Sequence, residues 1–513
     1  MKVVIATPRN VPSPLMLPLA CVKDHDNVQS DPAPISTFTN PPPPPSLQET
    51  SEPLSDLHLE LQGLLTGRAL LPDEFPFPYT QIESFIRSGY VYLQAGIKRG
   101  KSSRHQCQRC GNTKKDWFAR YDCAWCNGPC LYCRRCVMMG RVTTCTPLFR
   151  WGGPVFSAQE RRHDVLAWQG ELSPLQRRAA DRITETIMQH KAAKLLVWAV
   201  CGAGKTEMLF PGIARGLEEG KRVLIATPRT DVVLELEPRL RRAFPTTTLA
   251  SLYGGSPERL AYGQLVVATT HQTRRFQDAF DVAIIDEVDA FPYRYDESLA
   301  YAVKNATRKQ AVLIYLTATP DEGLRKKCEK EKAVVKVSRR FHGYPLPVPE
   351  FQWAGNWRKA LAREHLSPVF SAWVDEQLTS GRQALIFAPS VQVAKQLHQI
   401  LQKKETSIVS VHASDPERKE IVKRFRDGEM PLLITTTILE RGVTIYGIDV
   451  VVLGAEDDVF VESALVQIAG RAGRSADDPH GTVTFFHYGK TKAMNRCRKQ
   501  ILAMNRGEHQ DEA

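Results

Sequence analysis

Ala199-Val200-Cys201-Gly202-Ala203-Gly204-Lys205-Thr206 decides the reading of this 513-residue chain. An apolar run, Leu195-Leu196-Val197-Trp198, precedes it and a helical pattern follows. Strand, glycine-rich loop, Lys-Thr and helix in that order build a phosphate cradle, because loop amides and the positive end of the helix dipole converge on the anion. Gly202 and Gly204 let the backbone approach closely. Lys205 is then placed to reach the β- and γ-phosphates, and the Thr206 hydroxyl to ligate Mg2+. The usual pattern opens with Gly where Ala199 stands. These residues predict an ATP site, and the partners such a site needs recur downstream.

Around this loop, residues 160–342 read as one lobe. Short apolar runs at 195–200, 223–226, 265–268, 282–285 and 312–316 alternate with helical stretches. Parallel strands buried on both faces have this pattern, so the expected class is α/β with a mainly parallel sheet. Upstream, Leu172-Ser173-Pro174-Leu175-Gln176 opens a helix over 176–190, and the Gln176 amide can pair with both donor and acceptor on the adenine edge. The run Val282-Ala283-Ile284-Ile285 ends in Asp286-Glu287-Val288-Asp289. Beside a phosphate loop, Asp286 would hold the Mg2+ shell and Glu287 would polarise the attacking water. Thr317-Ala318-Thr319 would couple the ATP state to lobe contact. Ala226-Thr227-Pro228-Arg229 and Ala268-Thr269-Thr270-His271-Gln272 offer amides, hydroxyls and a guanidinium to the phosphates of a bound strand.

A second lobe over 345–505 repeats the pattern without a phosphate loop, with apolar runs at 384–388, 408–411, 432–434, 450–453 and 482–486. Within it, Gln467-Ile468-Ala469-Gly470-Arg471-Ala472-Gly473-Arg474 reads as helical, which puts Arg471 and Arg474 on one side of the helix. Across an interlobe cleft both can reach the γ-phosphate, with Gln467 beside them. Arginine fingers of this kind are worth about 10³–10⁵ in rate in other nucleotidases.

Composition is that of an ordinary globular chain, 42% hydrophobic and 24% charged, with a formal charge of +12. The excess of base favours polyanionic partners, nucleic acid before acidic lipid. No run of about 18 apolar residues is present, so no membrane-spanning helix is expected. At the N-terminus, Arg9, Pro12, Pro14 and Pro18 interrupt any signal-like core. Pro41 through Pro45 favour polyproline II. Residues 1–55 therefore read as a disordered Pro-rich tail, and the leucine spacing from Leu57 suggests a short helical segment over 56–100.

Residues 101–150 form a different kind of module. Eight of the chain's 12 cysteines fall between Cys107 and Cys145, in the spacings Cys107-x-x-Cys110, Cys123-x-x-Cys126 and Cys130-x-x-Cys133-x-x-Cys136. A nucleotide motor without an export signal works in a reducing compartment, so metal is a better reading than disulfide. Two such knuckles supply the tetrahedral thiolate set that zinc prefers. One zinc with three spare thiols is open, and so are two sites completed by Cys145 or His105. An iron–sulfur or redox role is the lesser alternative. From Lys98 to Arg150 there are twelve Lys/Arg against Asp116 and Asp122, interleaved with Trp117, Phe118, Tyr121, Trp125 and Tyr132. Such a face suits single-stranded nucleic acid, with cations on the backbone and aromatics on the bases. Alternatively the aromatics are the module's small core and the charges are merely solvated.

Taken together, the motifs resemble those of superfamily 2 helicases and translocases, which implies two RecA-like lobes. The resemblance narrows on Tyr132-Cys133-Arg134-Arg135-Cys136 with Met139-Gly140-Arg141, Asp286-Glu287-Val288-Asp289-Ala290-Phe291-Pro292-Tyr293, Arg339-Arg340-Phe341-His342-Gly343 and Leu439-Glu440-Arg441-Gly442-Val443-Thr444. These look like ComFA, the late competence motor family of Gram-positive bacteria. That resemblance implies an ssDNA-stimulated ATPase driving DNA uptake during transformation, with ATP, Mg2+ and Zn2+ as cofactors. It also implies a cytoplasmic position at the inner face of the membrane. Implied partners are single-stranded DNA, ComFC-like and DprA-like proteins and the uptake channel, with oligomerisation left open. The family's zinc quartet would map onto Cys107, Cys110, Cys133 and Cys136, with Cys123, Cys126 and Cys130 as alternative ligands. Two other readings are carried. A replication-restart helicase resembling PriA also joins zinc to such a motor, though there the cysteines interrupt the second lobe. An ATP-binding zinc scaffold on DNA without motor activity is the other, and the complete set of Lys205, Glu287, Arg471 and Arg474 argues against it.

Overall fold

Seven parallel strands carry the first lobe, in the order Leu249–Leu252, Leu265–Thr269, Val223–Thr227, Phe280–Asp286, Thr307–Thr317, Ala193–Ala199 and Val334–Val337. The computed structural model describes residues 2–9, 11, 13–38, 55–99, 104–154, 163–440, 445–475 and 478–506. Every residue of Val223–Thr227 and of Leu265–Thr269 is buried. A strand covered on both faces has no polar side to show, which is why these segments read as unbroken apolar runs. Helices Pro174–Met188 and Lys205–Glu218 cover one face through Ile183, Ile187, Met208 and Ile213. Helix Glu297–Ala306 covers the other with Leu299 and Val303. All strands being parallel, their C-terminal ends share one edge, and the loops after Ala199, Asp286 and Thr317 gather there.

The second lobe has six parallel strands, ordered Glu350–Trp353, Val483–His487, Asp449–Leu453, Ala384–Phe387, Leu432–Thr435 and Val409–Val411. One face packs its own core around Trp357, Phe370 and Phe486. The other belongs to a buried cluster continuous with lobe 1, joining Leu385, Phe387 and Ile468 to Val197 and Leu209. The expected runs in both lobes are all strands. Leu249–Leu252, Val334–Val337 and Glu350–Trp353 are additional ones, each four residues long.

Residues 2–9 and 13–38, expected to belong to a tail, fold instead. Lys2–Thr7 pairs antiparallel with Leu15–Pro18, Asn27–Val28 and Ala33–Pro34. Val3, Val4, Leu17 and Ile35 pack against Leu61, Leu65 and Ile82 of helices Asp56–Leu65 and Tyr79–Arg87. The prolines that forbid a helix here are tolerated in short edge strands, and that let the sheet escape notice. Pro41–Pro45 lie outside the described residues. The segment 56–100 holds strands as well as helices: Val91–Ala95 pairs with Pro147–Trp151, and Ile97–Arg99 with His105–Cys107. The described residues before the motor thus form one folded unit. Among the described residues no helix is long and apolar enough to cross a membrane.

Candidate functional site

The cradle forms as its sequence requires. Gly202 and Gly204 take left-handed backbone angles, φ +79° and +68°, where a side chain would be strained. Lys205 opens helix Lys205–Glu218 immediately after them, and Thr206 is its second residue. Gln176 is tied to this loop: its Nε2 donates to the Ala203 carbonyl at 2.9 Å, and its Oε1 accepts from the Ser173 amide at 2.8 Å. The second bond closes a capping box at the start of Pro174–Met188. Each end of the Gln176 amide retains capacity for one further bond. Asp286 ends its strand, with Oδ1 accepting from the Glu287 amide at 2.9 Å. Glu287 stands at φ +53°, an uncommon angle that turns the chain sharply at the sheet edge.

From the other lobe come Gln467, Arg471 and Arg474, which line the same cleft of about 640 Å³ as Lys205, Asp286 and Glu287. Their backbone differs from expectation. Helix Glu462–Ala469 stops before the arginines, because Gly470 caps it and Gly473 takes φ +61°. Arg471 and Arg474 are therefore presented by a turn rather than by one helical face. Arg471 is 2% exposed, and its Nε donates to the Glu440 carbonyl at 3.1 Å. Burial, and then the neighbouring Arg474, push its pKa down to about 9. Arg474, only partly buried, brings a second guanidinium to the same cleft. The lobes meet tightly beneath them: Cys201 Sγ donates to Gln467 Oε1 at 3.0 Å, and a Cβ on Gly470 would come within 2.3 Å of Cys201 Cβ.

Arg340 belongs to a motif whose role the sequence alone does not give. It is 1% exposed, and its Nη1 donates to the Gly473 carbonyl in the arginine turn. The next residue, Phe341, donates its amide to the Gly202 carbonyl at 3.0 Å. One dipeptide thus holds the phosphate loop and the arginine turn together. Phe341 and Tyr446, 49% and 60% exposed, also line the cleft. An aromatic in a segment without periodicity was the available signal for them.

At the other strand ends the structure departs from expectation. Thr227 and Thr270 are completely buried, hydroxyls included, so these two hydroxyls offer nothing to a bound strand. Arg229 pairs with Asp231 at 2.9 Å and donates to the Ile438 carbonyl of lobe 2 at 2.6 Å. Asp231 also binds Arg418 at 3.0 Å, so Arg229 works as an interlobe clasp. Thr317 and Thr319 both donate hydroxyls to the Asp289 carboxylate, the latter at 2.5 Å. That ties the two strand ends behind the cleft. Arg441 to Thr444 lie outside the described residues.

In the module, Cys107, Cys110, Cys133 and Cys136 are all buried, with Sγ atoms within 4.8 Å of one another. Cys107–Cys136 and Cys110–Cys133 are 3.6 and 3.5 Å apart. Zinc–sulfur bonds of about 2.3 Å separate the sulfurs of a tetrahedron by about 3.8 Å, so the set fits zinc. Cys123, Cys126 and Cys130 do not join this quartet; they gather with Cys145, and His105 belongs to neither set. The module's aromatics are differently placed: Phe118 and Tyr121 pack against the cysteine clusters. Arg141 sits over Tyr132 and Tyr121 at 5.7 and 6.0 Å, and Arg135 over Trp117 at 4.8 Å. Trp125 is 81% exposed.

Family models match three stretches of the chain: the competence protein ComFA N-terminal domain over residues 54–150, the type III restriction enzyme res subunit over 169–322, and the helicase conserved C-terminal domain over 368–476. The competence protein ComFA of Bacillus subtilis (strain 168) is 46% identical over 452 residues, 88% of this chain and 96% of that protein. The ComFA of Streptococcus pneumoniae (strain ATCC BAA-255 / R6) is 39% identical over 404 residues, 78% of this chain and 90% of its own length. Among solved structures, S. cerevisiae Dbp5 bound to RNA and ADP BeF3 gives a TM-score of 0.47 at 16% identity, covering 65% of this chain and 88% of that one.

Proposed function

The chain belongs to the ComFA family of competence proteins, and on that premise we propose that it is an ATP-driven translocase on single-stranded DNA, serving DNA uptake in transformation. It is a competence-related, superfamily 2 helicase-like protein with ATPase-type domains. The reading is supported chiefly by the cleft in which Lys205 and Glu287 of one lobe face Arg471 and Arg474 of the other. Loop amides at Gly202 and Gly204 and the Lys205 ammonium hold the phosphates. Thr206 and Asp286 would hold a magnesium ion arriving with the nucleotide, which would supply neutralisation of phosphate charge. Glu287 orients the attacking water and accepts its proton at the carboxylate. Gln467 positions that water beside the arginines. Arg471 and Arg474 stabilise the charge that builds on the transferred phosphoryl group. Losing the γ-phosphate removes their anion, and the lobes part. Gln176 offers its remaining bonding capacity to the adenine.

Zinc at Cys107, Cys110, Cys133 and Cys136 would be structural, since four thiolates leave no open position. The basic, aromatic module is the proposed contact for single-stranded DNA. To the same proposal belong ComFC-like and DprA-like partners and a cytoplasmic position at the membrane beside the uptake channel. Steady-state ATP hydrolysis alone, with single-stranded DNA, and with blunt or branched duplex tests the reading. Selective stimulation by the single strand is the expected result. Stimulation mainly by branched duplex would favour replication restart, and absence of turnover under every condition would favour a scaffold.

A further inference from the structure

The geometry points to a second zinc centre, formed by Cys123, Cys126, Cys130 and Cys145, distinct from the quartet at Cys107. The four sulfurs lie within 4.8 Å of one another, with Cys123 and Cys145 at 3.6 Å. That spacing is a tetrahedron's edge, not a sulfur–sulfur bond of about 2.05 Å. All four cysteines are brought there by backbone pairing. Strands Phe118–Cys123 and Gly128–Cys133 form a hairpin in which Cys123 faces Gly128 across the ladder. Residues 142–144 continue the ladder: Cys133 donates its amide to the Val142 carbonyl at 2.9 Å, and Thr144 to Leu131 at 2.9 Å. Cys145 thereby arrives beside Cys123.

Two further observations favour metal over four idle thiols. The hairpin's buried core consists of Cys123, Cys130 and Cys145 with only Tyr121 and Cys126 packed on it, so sulfur is nearly all it has. A fold that small needs a metal to hold it. The knuckle also repeats the backbone of the first site. Cys107-x-x-Cys110 is followed by Gly111 at φ +69°, and Cys123-x-x-Cys126 by Asn127 at φ +49°, each a left-handed residue just after the second cysteine. The Thr143 hydroxyl lies 3.3 Å from Cys145 Sγ and is placed to donate to a thiolate.

Ligand order is interleaved. Cys123, Cys126 and Cys130 sit inside the loop closed by the first quartet, while Cys145 follows it. Cys130 and Cys133, three apart on one strand, point to opposite faces and serve different metals. The second centre would fix Trp125, which lies between two of its ligands and is largely exposed.

Metal content of the purified full-length chain tests this, independently of whether the cleft hydrolyses ATP. Elemental analysis should find about two zinc per chain, falling to about one in the Cys123→Ser/Cys145→Ser variant. One zinc in the unmodified chain, or no loss in the variant, would overturn the assignment. Because the variant itself could misfold, cobalt(II) is also titrated into the metal-stripped unmodified chain. Tetrahedral tetrathiolate bands that grow to about two equivalents support two centres. Saturation at one equivalent, or a disulfide recovered within the second quartet, refutes them.

Discussion

Lys205 and Arg340 represent two ways for a residue to matter to the cleft. In the proposed mechanism Lys205 meets the phosphates directly, and its replacement removes a charge aimed at the reacting group. Lys205→Ala should abolish ATP turnover with the melting temperature and circular dichroism unchanged; substantial residual hydrolysis would sink the assignment. Arg340 is a positioning residue, packed behind the loop and bound to the Gly473 carbonyl. Its pKa is pushed down to about 10, first by burial and then by Arg474. Arg340→Met keeps the packing but loses the bond that fixes the arginine turn. A charge-assisted hydrogen bond contributes about 1.5–3 kcal/mol, so kcat should fall by roughly tenfold or more. The KM for ATP should change far less, because the phosphate loop keeps its own amides. A raised KM with kcat unchanged would mean that Arg340 supports ground-state binding instead. Lys205 could be read from spacing alone. Arg340 could not, because its role depends on a contact 133 residues away.

Strand ends are the elements where energy is concentrated around the cleft. Asp289 accepts both Thr317 and Thr319 hydroxyls and is 4% exposed. Asp289→Ala would orphan two buried hydroxyls at about 1–3 kcal/mol each. We expect a lower urea midpoint and ATP hydrolysis that no longer responds to single-stranded DNA, measured as the ratio of stimulated to basal rate. An unchanged ratio would separate this tie from DNA sensing. Elements of this kind were legible to different degrees. Doubly covered strands such as Val223–Thr227 announce themselves, because burial on both faces leaves a continuous apolar word. The N-terminal sheet does not: its strands are two to six residues long and punctuated by prolines, so no period develops. Burial of the Thr227 and Thr270 hydroxyls was equally hidden, since a threonine at a strand end reads the same whichever way it points. The arginine turn reads as helix in the sequence because the contrary signals, Gly470 and Gly473, also occur inside helices. Cys145 was an open choice until the ladder through 142–144 carried it to Cys123.

At the scale of the molecule, the unit before the motor is fastened to lobe 1. Arg109 and Arg275 share Glu74 at 3.1 and 2.7 Å in a buried triad, and Arg135 pairs with Asp296 at 3.1 Å. Arg68 donates to the Leu260 and Ala261 carbonyls, and Arg222 to that of Thr66. Breaking a buried ion pair by removing one partner costs about 3–5 kcal/mol. Glu74→Gln should therefore lower the melting temperature and open the 55–154 unit to limited proteolysis, while lobe 1 still binds nucleotide. Resistance equal to that of the unmodified chain would show that the triad is not the anchor. The same fastening makes the unit a lever arm. Whatever angle lobe 1 turns through against lobe 2, the unit turns with it as one piece, and displacement grows with distance from the pivot. Trp125, exposed at the hairpin tip, would be carried along by that turn, and a label there would report lobe rotation from outside the cleft.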